Sequence, residues 1–354
     1  MKNIDKFLTL INDEVDGLLL TSRYSRHYCA EFDIAEGIAI VTKAGCRYFT
    51  DSRYTEAAEN GIQGFEVIDI TTEKGYAGCL NKAIAEFGVK VLGYEEDYLT
   101  VSELFRFEKT LNARLVPMNE KINGFRGVKE AWELDLMRHA QAITDKAFSQ
   151  VLSRIQVGMT ELELQAELIY CMTKNGATGL AFDPIVVSGP NTSMPHGVAG
   201  ERVIQEGDFI TMDFGAAYQG YCSDMTRTVV VGYATEEMKK VYETVLQAQL
   251  AGLAVSKAGV PGCEVDGAAR KVIEDAGYGE YFGHGYGHSL GLEVHESPNP
   301  NARNQEPLPE NAICSAEPGI YLPGKFGVRI EDVVIFKADG HENITQSPKN
   351  LIIV

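Results

Sequence analysis

Apolar positions along this chain follow two rhythms, and the change comes near residue 125. Before it, short apolar runs alternate with stretches of helical spacing. Gly17–Ser22, Gly37–Thr42, Arg47–Thr50, Phe65–Ile70 and Val89–Gly93 read as strands, the second and third paired around a Lys43-Ala44-Gly45 turn. Lys74–Phe87 and Val101–Leu111 repeat apolar residues every three to four positions and read as helices. Together they predict a small α/β domain over residues 1–123, with Gly124–Val128 as a link.

Beyond the link, longer helices come in pairs. The first runs from about Lys129 to Ile155 with Trp132, Leu136, Ala140, Ile143, Ala147 and Val151 on one stripe. The second opens at Thr160, where Glu163 three residues on completes a capping box, and closes at Gly176. Thr235–Lys257 and Gly262–Ala276 form the later pair. Strands are expected at Ile185–Ser188, Phe209–Phe214, Cys222–Val231, Ile313–Ile320 and Arg329–Phe336. Helix pairs followed by strands, twice over, suggest a duplicated α+β unit filling a second domain, 124–354.

The net charge of -18 argues against nucleic-acid partners and anionic membrane surfaces, which need a basic footprint. No apolar run approaches membrane-spanning length, and the charged N-terminus is no signal peptide. Seven scattered cysteines without a C-x-x-C pair fit reduced thiols. A soluble, cytoplasmic protein is expected.

The candidate chemistry lies in the second domain. Asp213, Asp224, His288, Glu317 and Glu331 occur in order, each in a segment that reads as strand or tight turn. Four carboxylates and one imidazole suit hard divalent ions, and four carboxylates are too many for one catalytic zinc. They point to two ions sharing bridging carboxylates, an arrangement that activates water for hydrolysis. Taken singly, each would be an ordinary turn aspartate, an ion-paired glutamate or a satisfied structural histidine.

Their surroundings add to the picture. Thr211–Thr228 (TMDFGAAYQGYCSDMTRT) reads as a hairpin turning near Gln219-Gly220, with Asp213 and Asp224 on opposite arms. Its Asp-Phe-Gly is not a kinase motif, since no Gly-rich loop, strand lysine or H-R-D loop accompanies it. Gly283–Pro298 (GHGYGHSLGLEVHESP) concentrates His284, His288 and His295. It is no dinucleotide fingerprint, because Leu290 stands at the third glycine position, and no H-E-x-x-H, because no second histidine follows His295-Glu296. Ser188–Gly197 (SGPNTSMPHG) presents His196 on a loop. Ala316–Tyr321 (AEPGIY) and Gly327–Val333 (GVRIEDV) carry Glu317, Arg329 and Glu331, with Arg329 and Glu331 expected on one face of a strand.

In this order the five blocks resemble the metallopeptidases of the pita-bread fold, over residues 125–354. The first domain, with Tyr48–Tyr54 (YFTDSRY), is similar to the extra ribonuclease-H-like domain of the creatinase/prolidase type, which marks the Xaa-Pro branch. The resemblance implies an α/β N-terminal domain followed by an α+β pita-bread catalytic domain. It implies that Asp213 chelates one ion, that Asp224 and Glu331 bridge both, and that His288 and Glu317 complete the second. It gives His196 and His295 contacts to substrate and to the tetrahedral intermediate, Glu317 a proton-handling role, and His284 and Arg329 supporting places behind the ligands. The ions expected are two divalent metals, Mn first with Co or Zn as alternatives. The expected activity is removal of an N-terminal residue preceding proline, as in aminopeptidase P, from proline-containing peptides. The alternative is an Xaa-Pro dipeptidase, or prolidase. A silent binding relative or a metal-free creatinase-type hydrolase is disfavoured because all five ligand positions hold Asp, His or Glu. A homodimer is also implied.

Overall fold

The computed structural model describes residues 3–354. The chain divides between Phe125 and Arg126 into two compact units, two residues beyond the expected boundary. Phe125 causes the difference: its ring centroid lies 5.7 Å from that of Phe7, so the start of the expected link packs with the first unit.

The first unit is built on one six-stranded sheet. Its spatial order is Glu66–Asp69, Gly45–Thr50, Ile38–Thr42, Gly17–Leu20, Val91–Tyr94, Arg114–Pro117. Three antiparallel strands form the middle, and parallel strands flank them. All four residues of Gly17–Leu20 are buried, which is why its sequence is a continuous apolar run rather than an alternation. Helices Gly75–Phe87 and Val101–Thr110 bring Leu80, Ala83, Ile84 and Phe107 against Leu19, Ile40, Phe49 and Leu92. Gly45 begins a strand instead of closing the turn, because Thr42 Oγ1 accepts from the N–H groups of Ala44 and Gly45 and shortens the bend. The short helices Asn3–Thr9 and Arg23–Ala30 and the edge strand Arg114–Pro117 were not legible in the sequence.

The second unit repeats one theme. Helices Ala131–Leu152 and Glu161–Lys174 cover an antiparallel sheet of Met225–Val230, Phe209–Phe214 and Ile185–Ser188. Helices Glu236–Val255 and Gly262–Asp275 pack on Ile313–Ala316, Gly319–Leu322, Phe326–Arg329 and Asp332–Lys337. Each helix pair closes an apolar core against its own strands, the second core also taking in Phe209 and Val230 from the first sheet, as expected of a duplicated α+β unit. The capping box is present: Thr160 Oγ1 accepts from Glu163 N at 3.1 Å, and Glu163 Oε2 accepts from Thr160 N at 2.8 Å.

Three expected strands differ from expectation in one shared way. Ser223-Asp224 separates Tyr221–Cys222 from Met225–Val230, Glu317-Pro318 separates Ile313–Ala316 from Gly319–Leu322, and Ile330-Glu331 separates Phe326–Arg329 from Asp332–Lys337. Every interruption carries a carboxylate of the candidate site. Pro318 has no N–H to offer a ladder. Glu331 keeps its backbone satisfied outside the sheet, its N–H donating to Thr226 O at 3.1 Å and its carbonyl accepting from Arg227 Nη1 at 2.5 Å. A break releases a side chain from strict up-and-down alternation, so segments from different sheets can aim at one point.

Candidate metal centre and its cavity

Asp213 is placed by ordinary strand geometry. Along Phe209–Phe214, Ile210, Met212 and Phe214 enter the core beneath the first helix pair. Alternation then turns Thr211 and Asp213 to the opposite face. In register, Asp213 stands between Ile185 on one neighbouring strand and Thr226 on the other. The hairpin turn falls where expected, at Gln219 and Gly220, both with positive φ.

His288 lies in a segment with no regular element, and close backbone approach holds it. A Cβ on Gly287 would sit 2.1 Å from Ser315 O, so only glycine permits this contact. The approach lets Ser315 N donate to His288 O at 2.8 Å and His288 N donate to Ser315 Oγ at 3.0 Å. His288 Nδ1 is 3.2 Å from Ser289 O; a carbonyl only accepts, so Nδ1 carries the proton and Nε2 presents its lone pair. That Nε2 lies 3.4 Å from Glu317 Oε1 and 3.6 Å from Asp224 Oδ2. Ligand atoms of Asp224, His288 and Glu331 all lie within 4.8 Å of one another.

One cavity of about 390 Å³ brings together all nine residues singled out in the sequence: His196, Asp213, Asp224, His284, His288, His295, Glu317, Arg329 and Glu331. Phe182, Ile185, Pro195 and Val294 give it an apolar wall. His196 and His295 are exposed at its lining, and the His295 ring stands edge-on to His288 with centroids 4.3 Å apart.

The electrostatics favour a cation. Burial, then the neighbouring carboxylates, hold Asp224 and Glu331 well above the usual carboxylate range. Burial pushes Glu317 up to about 8. Burial lowers His288 to about 4, with the adjacent His295 adding to the effect, so the imidazole is neutral and able to ligate. Asp213 Oδ1 and Asp224 Oδ1 are buried without a hydrogen-bond partner. Such orphaned carboxylate oxygens are costly unless a positive charge meets them. This donor set therefore fits a pair of divalent ions.

Residues 135–338 match the profile of metallopeptidase family M24, and residues 4–128 match that of the creatinase/prolidase N-terminal domain. The chain belongs to metallopeptidase family M24. An Xaa-Pro dipeptidase from Bacillus anthracis has a similar structure, with a TM-score of 0.95 and 41% identity over 100% of this chain and 99% of that one. An X-Pro aminopeptidase from Thermotoga maritima gives a TM-score of 0.94 and 38% identity, covering 100% of both chains. An Xaa-Pro dipeptidase from Pyrococcus horikoshii is 34% identical over 99% of this chain and 98% of its own.

As an M24 metallopeptidase the chain is a metallo-exopeptidase with the pita-bread catalytic fold behind a creatinase/prolidase-type domain. Its site also contains two groups that sequence reasoning passed over. Thr226 Oγ1 donates to Glu331 Oε2 at 2.7 Å and accepts from Arg329 Nε at 2.9 Å. Arg329, expected to orient Glu331 or its neighbours, reaches Glu331 through this hydroxyl, and its direct carboxylate partner is Asp213, at 2.6 Å. Tyr321 accepts from Arg329 Nη1 at 2.9 Å and lies 2.9 Å from His284 Nε2. Burial lowers His284 to about 4, and its Nδ1 donates to Gly285 O, so Tyr321 donates to Nε2. His284 thus connects to the candidate ligand Asp213 through Tyr321 and Arg329. Both missed residues stood inside quoted motifs, and for Thr226 the hairpin register that pairs it with Asp213 was the available signal.

Proposed function

We propose that this chain is an Xaa-Pro dipeptidase, cleaving the bond between a first residue and a C-terminal proline. The sequence alone favoured the aminopeptidase. The observation that carries the dipeptidase reading is full-length likeness to the Bacillus anthracis dipeptidase, at 41% identity. The cavity of about 390 Å³ agrees with it, lying at the small end of ligand sites. The aminopeptidase remains the second reading, favoured by the Thermotoga maritima structure.

In this reading Asp213, Asp224, His288, Glu317 and Glu331 hold two divalent ions, Mn²⁺ before Co²⁺ or Zn²⁺ because oxygen donors dominate. When bound, such ions polarise the scissile carbonyl and acidify a water. Glu317 Oε takes the proton of the attacking water and passes it toward the leaving proline nitrogen. His196 and His295 donate to the developing oxyanion or the substrate backbone. Phe182, Ile185, Pro195 and Val294 offer the apolar surface a proline ring needs, since an X–Pro bond has no amide N–H to recognise. Arg329 keeps Asp213 in place, and Thr226 keeps Glu331.

We also place the protein in the cytoplasm, on the ground that all seven cysteines are free thiols, and expect a homodimer. The deciding experiment compares hydrolysis of an X–Pro dipeptide with that of X–Pro–Y tripeptides, adding Mn²⁺, Co²⁺ and Zn²⁺ in turn. A dipeptidase cuts only the dipeptide. Efficient release of X from the tripeptide would return the assignment to the aminopeptidase.

A further inference from the structure

His196 belongs to a loop with little regular structure of its own. Between the strand Ile185–Ser188 and Gly200 the chain makes only a short 3₁₀ turn, Gly189–Ser193. Yet its imidazole must meet a substrate atom within hydrogen-bond distance. Something outside the loop has to fix it.

Glu161 is that fixed point. It is the first residue of helix Glu161–Lys174 and is fully buried. Its Oε1 accepts from Ser188 N at 2.7 Å, Ser188 Oγ at 2.9 Å and Asn191 Nδ2 at 3.0 Å. Its Oε2 accepts from Gly200 N at 3.1 Å and from Asn191 Nδ2 at 3.3 Å. One carboxylate therefore ties the start, the interior and the end of the loop. The helix backbone reinforces the tie, Glu161 N donating to Arg202 O at 3.1 Å and Leu162 N to Gly200 O at 3.2 Å. From its far side the same loop touches the site, Pro195 O accepting from Arg329 Nη1 at 3.4 Å.

We propose that Glu161 is a positioning residue for catalysis: its buried carboxylate clamps the 188–200 loop and so holds His196 in the cavity. Glu161 touches no candidate ligand and does not line the cavity. Charge-assisted hydrogen bonds are about twice as strong as neutral ones, so an ionised carboxylate can order a loop that lacks a ladder. Oxygen acceptors are required at both ends. A glutamine would turn an N–H₂ toward a backbone N–H and lose one side of the clamp. The inference rests on the role given to His196.

The test uses the metal-loaded enzyme and five variants, Glu161→Gln, Asn191→Ala, His196→Ala and the double variants Glu161→Gln/His196→Ala and Asn191→Ala/His196→Ala. Misplacing a catalytic group by about 1 Å costs on the order of 100-fold, so E161Q should lower kcat about 10- to 100-fold. Bound metal and KM for the dipeptide should stay near wild type. In the Glu161→Gln/His196→Ala double variant kcat should equal that of H196A, because a clamp has nothing left to position. Asn191→Ala loosens the same carboxylate more gently and should give a smaller loss that also vanishes beside H196A, which keeps the inference testable if E161Q folds poorly. Multiplicative losses in either double variant, or wild-type kcat in folded E161Q, would overturn the inference alone. Wild-type kcat in H196A would instead overturn the role of His196, and the inference with it.

Discussion

Arg329 donates from Nη2 to Asp213 Oδ2 at 2.6 Å, joining residues 116 positions apart in the chain. Both side chains lie in the cavity, and the same guanidinium also serves Thr226 and Tyr321. It fixes one oxygen of Asp213, while Oδ1 is buried without a hydrogen-bond partner, as a candidate ligand atom would be. A lysine has a single point of charge and cannot serve three partners at fixed angles. Arg329→Lys should therefore weaken metal affinity on the order of 10- to 100-fold, the usual effect of losing a partner behind a ligand. Metal titration followed by calorimetry reads this directly; unchanged affinity would contradict the arrangement.

Metal binding should release protons. Without metal, Glu317 sits at about 8, and Asp224 and Glu331 are well above the usual range, so protons occupy the site at pH 7. An ion must displace them, so affinity rises with pH. Calorimetric titration at pH 7 in two buffers of different ionisation heat gives the number released, and zero would rule this out.

The same shifts set the pH dependence of the metal-free protein. A group whose folded pKa is raised stabilises the fold below its unfolded pKa, and that stability is lost as pH rises through the folded value. For Glu317 the window runs from about the ordinary carboxylate value of ~4.3 to about 8. The Tm of the chelated protein should fall between pH 5 and pH 8.5, and added Mn²⁺ should restore it. A chelated protein equally stable at both pH values would refute the buried, uncompensated cluster.

Tyr321→Phe tests the hydroxyl between His284 and Arg329. Its loss leaves a buried guanidinium N–H without an acceptor and a buried imidazole nitrogen without a donor. Leaving such groups unsatisfied costs about 1–3 kcal/mol, readable by urea unfolding. All five candidate ligands remain, so bound metal should not change.

Lys129 and Glu296 form an ion pair at 2.9 Å with both side chains buried. Lys129, then Arg126, holds Glu296 below the usual range despite its burial. The depressed pKa means this contribution is present above the ordinary value and is lost as pH falls through the folded one. Lys129→Met should cost about 3 kcal/mol, since the buried carboxylate keeps Arg126, at 3.5 Å, as its counter-charge and loses the closer one, and should move acid unfolding to higher pH. Unfolding curves at pH 7 and pH 4 check both effects.

Much of this was legible before the structure. The helix pairs could be read because one face of each must be apolar, and Thr160 with Glu163 marked an N-terminus by local chemistry alone. The nine candidate site residues were found by type and order, and they do share a cavity. The short helices Asn3–Thr9 and Arg23–Ala30 were missed because fewer than three turns give no clear period.

The sequence by itself determined the candidate donors and the strand that carries Asp213, since side-chain alternation and residue type are local properties. Only the tertiary structure decided where Asp224, Glu317 and Glu331 point. Those of Asp224 and Glu331 read as uninterrupted strands and that of Glu317 as a strand meeting a proline-glycine turn, yet each breaks at the carboxylate, whose backbone finds partners in another segment, as Glu331 does at Thr226 and Arg227. The tertiary structure also decided that Arg329 holds Asp213 and that Tyr321 holds His284. Those contacts join hairpins and loops distant in sequence, and no local pattern encodes a hydrogen bond across such a separation.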